Sequence, residues 1–262
     1  MSSMSITFFL TLLPIILILA FVYSKNKTKE PLTLLLKLFL LGIIACFLTL
    51  GISLLLEKYI PFMNYEVREK SFTSTFLYAF IGVALIEELS KWYMVYFVGY
   101  KSKRVKELYN IIVYSVFVSL GFAFIENIIY IFTTGDVGLS TAIIRATSAI
   151  PGHACDAIFM GYYLCLAKQA SIIKNREQGK NNIYLSILVP TLLHGIYDFC
   201  LMSEQLILII IFIIFVIFIY YISIKKLNQI SKEKMIRNSR ICSRCGAKVE
   251  KEFCPICGKK IQ

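Results

Sequence analysis

Runs of about 20 apolar residues recur along this chain, and that recurrence restricts its fold more than any other feature. A helix of this length crosses roughly 30 Å of hydrocarbon. Inside hydrocarbon each backbone N–H and C=O needs a partner within the protein, which a helix supplies from its own turns. Seven spans are predicted, at about 5–24, 32–56, 72–98, 110–133, 141–168, 183–201 and 205–224. Composition agrees. Hydrophobic residues make up 58% of the 262 residues and charged residues 17%, where a soluble domain carries about a quarter charged. The expected fold is all-α: a polytopic membrane protein of about seven transmembrane helices plus a small C-terminal module. The first run has no basic segment before it and no small-residue cleavage site before Lys25, so it is read as a retained span and not a signal peptide.

The connections test the count. Those after spans one, three and five carry Lys25, Lys27 and Lys29; Lys101, Lys103, Arg104 and Lys106; and Lys168, Lys174, Arg176 and Lys180. Connections two, four and six are balanced or carry only Asp136 or Glu204. Basic and non-basic connections therefore alternate without a break. By the positive-inside rule this places the N-terminus outside and the C-terminus in the cytoplasm of a multi-pass cell-membrane protein. The net charge of +12 is concentrated at the end of the chain, where eleven Lys and Arg from Lys225 onward face three Glu. Basic residues just after a last span suit anionic headgroups better than nucleic acid, and no nucleic-acid partner is expected.

Ionisable residues inside spans are costly and mark function or a buried partner. Span three holds Glu87, Glu88 and Lys91. Glu87 and Lys91, at i and i+4, can pair on one face, which leaves Glu88 to face a cavity. Span four holds Glu126 and Asn127. Span five holds Arg145, then Pro151-Gly152-His153 and Asp156, and span six holds Pro190, His194 and Asp198. The Pro-Gly step should open a helix, which a membrane tolerates where backbone lines a cavity. His153 and Asp156 share a face, as do His194 and Asp198. Arg145, near the outer end, is expected to snorkel. One polar site at similar depth then gathers Glu87, Glu88, Lys91, Glu126, Asn127, His153, His194 and Asp198. Two chemistries fit it. A Glu can activate water while His and Asn stabilise an oxyanion, or two His and a carboxylate can bind a metal that acidifies water.

Glu87-Glu88-x-x-Lys91, Phe122-x-x-x-Glu126-Asn127, the Pro151/His153 segment with Gly161, and His194-x-x-x-Asp198 resemble the motif set of PrsW-type intramembrane proteases. These belong to the clan that includes CAAX-prenyl proteases and bacteriocin-immunity proteins. The resemblance covers about 72–201, four motifs in order on four successive spans. It implies an enzyme that cuts a membrane-anchored protein, commonly a single-span anti-sigma factor, at the start of a stress-signalling cascade. It also implies the Glu pair as catalytic centre, completed by Glu126, His153 and His194, in a glutamic or a metal-dependent mechanism. A proton-coupled transporter using the same residues as a relay, or a non-catalytic receptor signalling through its C-terminal module, stay open beside it. The transporter reading would be favoured by inverted repeats, and the chain shows none.

Of the eight Cys, Cys46, Cys155, Cys165 and Cys200 sit in apolar runs as small hydrophobes. Cys242, Cys245, Cys254 and Cys257 form C-x2-C-x8-C-x2-C with glycines after the pairs, the pattern of a zinc ribbon with a structural Zn2+ bound by four thiolates. Domain boundaries are expected at 1–224 for the membrane domain, 225–240 for a basic linker and 241–262 for the ribbon.

Overall fold

The computed structural model describes residues 3–64, 71–102, 105–133 and 139–233, and within the C-terminal segment 240–241, 244, 248–249, 253 and 256–260. Among the described residues seven helices form, at the predicted places: α1 (Ser3–Ser24), α2 (Leu32–Glu57), α3 (Phe72–Tyr100), α4 (Leu108–Thr133), α5 (139–172), α6 (Arg176–Met202) and α7 (Leu206–Lys232). Five of them, α2, α3, α4, α6 and α7, are long and apolar enough to cross a membrane by length and composition. The apolar part of α1 among the described side chains, Phe8–Ser24, is shorter. α5 breaks its apolar run with Arg145, His153 and Asp156. α7 continues to Lys232, past the predicted end of the last span.

Burial ranks the helices. In α4, 83% of the apolar window is buried, against 17% in α7. α4 is therefore the axis, touching α1, α2, α3, α5 and α7, while α7 lies at the rim. Leu54, Leu206 and Ile214 are 65% or more exposed. Such residues face lipid, where an outward apolar side chain carries no hydration cost.

α2 and α4 cross closely because each presents a glycine to the other. A Cβ on Gly42 would overlap the carbonyl oxygen of Val118, and one on Gly121 would overlap that of Phe39. Small residues let backbones approach where no hydrophobic effect drives helices together. Gly121→Ala is therefore expected to lower the denaturation midpoint in detergent measurably, because backbone must move to admit the methyl group. An unchanged midpoint would contradict this crossing.

Two helices are irregular where the polar motifs lie. In α3 the segments Tyr78–Leu85 and Val95–Tyr100 are π-helical and flank the α-helical Ile86–Met94. In α5 the π-helical Arg145–Ala149 runs directly into Ile150–Ile172, with Pro151 in its first turn. The proline has no N–H to leave unpaired in a first turn, so it opens this segment without breaking it. α6 accommodates Pro190 in mid-helix. α6 and α7 are joined by a tight turn in which Glu204 adopts a positive φ of 52°. In the C-terminal segment, Arg240–Ile241 pairs antiparallel with Lys248–Val249. The expected zinc ligands Cys242, Cys245 and Cys254 lie outside the described residues; Cys257 is described and partly buried.

Candidate active site

The π-helical turns and the Pro-Gly step bring α3, α4, α5 and α6 around one cavity of about 120 Å3. Its lining includes Tyr78, Glu87, Glu126, Tyr130, Arg145, His153, Asp156, His194, Tyr197 and Asp198. Tyr78 lies near the start of α3, Tyr130 near the end of α4 and Met202 at the end of α6. The cavity is thus displaced toward the end of the bundle whose connections carry few basic residues.

Lys91 organises the floor. Its side chain is fully buried, with Nζ 3.1 Å from Glu87 Oε2, 2.8 Å from Glu88 Oε1 and 3.1 Å from His153 Nδ1. The ammonium also sits 4.1 Å above the ring of Phe122, a cation–π contact on the side the carboxylates leave bare. Three of the four motifs thus meet at one nitrogen, and the fourth joins through His194 on Glu88. An ammonium donates and cannot accept, so His153 Nδ1 is the acceptor, and the ring proton sits on Nε2. That proton points at Glu126 Oε2, 2.9 Å away.

The two adjacent glutamates have different surroundings, and they reverse the expected assignment. Glu88 is the inner one: it is fully buried, and its Oε1 also contacts His194 Nδ1 at 2.9 Å. Glu87 lines the cavity, and Lys91 engages it through Oε2 alone. The opposite result was expected because an i, i+4 pair is the obvious one on a helical wheel. Lys91 reaches both carboxylates, since i+3 and i+4 lie side by side on the helix surface. Asp198 lies one turn beyond His194, its Oδ2 3.4 Å from His194 Nε2.

Arg145 does not snorkel. Its Nη2 donates to Glu126 Oε1 at 3.0 Å and its Nε to Asn127 Oδ1 at 2.6 Å, with Tyr130 stacked 3.9 Å beneath the guanidinium. Asn127 in turn donates to the Ala123 carbonyl at 2.7 Å. The π-helical turn places Arg145 inside the bundle, which spacing along the sequence does not disclose. All eight predicted residues are therefore in one connected cluster. Arg145 and Tyr130 join it, and Asp156, Tyr78 and Tyr197 line the same cavity. Of these, Asp156 was foreshadowed by its i, i+3 spacing from His153, and Tyr197 stands at i+3 from His194.

Glu87, Glu88, His153 and His194 each offer a ligand atom within 4.8 Å of the others. The donor set fits a divalent ion. His194 Nε2 lies 3.9 Å from Glu87 Oε2 and 3.4 Å from Asp198 Oδ2, near the separation of about 3.4 Å between ligands at zinc–oxygen and zinc–nitrogen bond lengths. Asp198 Oδ2 and Glu88 Oε2 are buried without a hydrogen-bond partner. Among the described residues, five carboxyl groups, on Glu87, Glu88, Glu126, Asp156 and Asp198, face two permanent cations, Lys91 and Arg145. Membrane interiors tolerate such an excess of one sign poorly.

Residues 30–223 match the profile of a family described as PrsW family intramembrane metalloprotease. Proteins named Protease PrsW are similar over most of their length. The one from Oceanobacillus iheyensis is 39% identical over 72% of this chain and 79% of its own. The Clostridioides difficile protein is 35% identical over 75% of this chain and 79% of its own, and the Bacillus subtilis protein 34% over 72% and 80%. No solved structure matches the chain.

Proposed function

The chain belongs to the PrsW family of intramembrane proteases, and on that premise we propose that it hydrolyses a peptide bond of a membrane-anchored protein at the cavity between α3 and α6, with Glu87 as the base. The observation that carries this reading is the division of labour between the paired glutamates. Glu88 is sealed by Lys91 and His194, while Glu87 opens to the space where a peptide and a water can meet.

In this reaction the water oxygen attacks the scissile carbonyl carbon, and its proton passes to the Glu87 carboxylate. The C–N bond then breaks, and Glu87 returns the proton to the leaving amine nitrogen, giving a carboxylate and an amine. Glu88 holds His194 through Nδ1, so that Nε2 is directed at Glu87, Asp198 and the cavity. This is the carboxylate–imidazole arrangement that fixes a tautomer for binding or donation. Asp198 Oδ2 lies 3.4 Å from Nε2 on the ring's other side. Glu126 holds the His153 proton, Arg145 holds Glu126, and Asn127 holds Arg145. A metal would be held from the set Glu87, Glu88, His153 and His194, with Asp198 beside His194, and when bound would polarise the carbonyl and the attacking water. The family description favours such an ion; the Lys91 ammonium against both glutamates favours a glutamate-only centre. The outward displacement of the cavity favours cleavage in the outer half of the bilayer. The alternating basic connections favour an outside N-terminus and a cytoplasmic C-terminus in the cell membrane. A single-span anti-sigma factor is the substrate class we propose, and a structural Zn2+ on Cys242, Cys245, Cys254 and Cys257 would fold the C-terminal module, whose short chain has too little core to fold without metal.

The test is cleavage of a panel of epitope-tagged single-span anti-sigma factors in cells, by wild type and by His194→Ala at matched levels. A fragment with wild type and none with His194→Ala supports the reading; no fragment with any member of the panel removes it. The metal question is answered separately by elemental analysis of purified protein in which Cys242, Cys245, Cys254 and Cys257 are replaced. One equivalent of metal, lost in His194→Ala, is the result expected of the metal-dependent form.

A further inference from the structure

The active-site cavity continues sideways. A narrower cavity of about 20 Å3 lies between α5, α6 and α7, and three residues, Gly152, Asp156 and Tyr197, line both spaces. The α2-side groove around Leu36 and Phe39 and the α1-side groove around Phe21 and Pro151 share no lining residue with the active-site cavity. Among the described residues, the side facing α7 is thus a direction in which the site continues toward the lipid-facing surface.

Two side chains stand at that boundary, Asp156 and Tyr197, and Tyr197 is the one that reaches α7. The Tyr197 ring stands between the two cavities and packs edge-on against Phe212 of α7 at 5.0 Å. Its hydroxyl is hydrogen-bonded to Ser148, in the π-helical turn of α5, at 2.8 Å. Across from it Gly152 carries no side chain, and the nearest atoms to a Cβ placed there are those of the Tyr197 ring, at 3.7 Å. Tyr197 shares a helical turn with His194 and Asp198, so displacing its ring opens space beside the proposed catalytic groups. α7 is also the least buried of the apolar helices. A peptide segment flanking the scissile bond extends beyond the catalytic groups, and this adjoining groove is space into which it can reach.

Building on the protease reading above, we infer that the groove between α5, α6 and α7 is the lateral entry for the substrate's membrane-embedded segment, and that Tyr197 is its latch. The occupant is an apolar polypeptide segment arriving within the bilayer, because the outer wall is apolar, made by Phe215, Val216 and Ile219 of α7. On entry the segment takes the place of Tyr197 against α7, and the ring gives up its contacts with Ser148 and Phe212.

The test is site-specific photo-crosslinking in the full-length Glu87→Gln protein, which keeps substrate uncut, with the tagged protein that wild type cleaves in the panel above. A benzophenone amino acid replaces Phe215, and in a second variant Tyr220, both aromatic positions on this groove. Phe47 of α2, 55% exposed on another face, carries it in the control. The expected result is a band shifted by the mass of the substrate at Phe215 or Tyr220 and none at Phe47. Adducts at Phe47, or at none of the three positions, while wild type still cuts the same protein, would overturn the entry route and leave the proteolysis standing. A wild type that cuts nothing removes both.

Discussion

Glu87→Gln is expected to reduce cleavage by about 10²–10⁴-fold, the usual contribution of a general base, while the protein accumulates and melts close to wild type. The loss corresponds to about 3–5 kcal/mol of activation free energy. The amide keeps the volume of the carboxylate and an oxygen to accept from Lys91, but it cannot take a proton from water. Glu87 lines the cavity, so a neutral group there remains partly hydrated. Glu88→Gln should behave differently. Glu88 is fully buried and serves Lys91 and His194 together, so its loss should lower both the denaturation midpoint and the cleavage. The two variants, compared at matched levels for cleavage and in detergent for the midpoint, separate a base from an anchor. A Glu87→Gln protein that cuts like wild type would remove Glu87 from the mechanism.

The contrast between these neighbours also marks how far the sequence could be read. Helix number, order and approximate ends followed from the apolar runs, since hydrocarbon thickness sets a length that sequence reports directly. Depth followed only coarsely: Glu87, Glu126, His153 and His194 each lie inside a span and away from its ends. Rotation did not follow. Whether Glu87 or Glu88 points inward depends on the twist of α3, and two π-helical segments, Tyr78–Leu85 and Val95–Tyr100, change that twist without any marker such as proline. Arg145 was misjudged for a related reason. Proximity to a span's end suggests snorkelling, but the π-helical Arg145–Ala149 turns the side chain toward Glu126 and Asn127. Tyr78, Tyr130 and Tyr197 were missed because tyrosine is abundant here, 16 of 262 residues, and nothing local separates those at a cavity from those at an interface.

Lys91→Met should be the most destabilising single change in the membrane domain. Met matches the length of the lysine stem and suits an apolar interior, so the effect isolates the charge. Without the ammonium, Glu87 and Glu88 face one another's charge, and His153 Nδ1 loses its donor. Removing one partner of a buried ion pair typically costs about 3–5 kcal/mol, because the other charge stays behind uncompensated. Against a native stability of about 5–15 kcal/mol, that loss is enough to bring much of the protein below the level at which it accumulates in cells. The expected readouts are low abundance in the membrane fraction and a markedly lower midpoint in detergent. Lys91→Met combined with Glu88→Gln should recover part of the lost midpoint, because it removes the more deeply buried of the stranded charges. A coupling of that sign in the double-mutant cycle is what a charge-balanced cluster requires. A single Lys91→Met variant as stable as wild type would mean that the carboxylates find their compensation elsewhere, and a cation other than lysine at their centre would then be the first candidate.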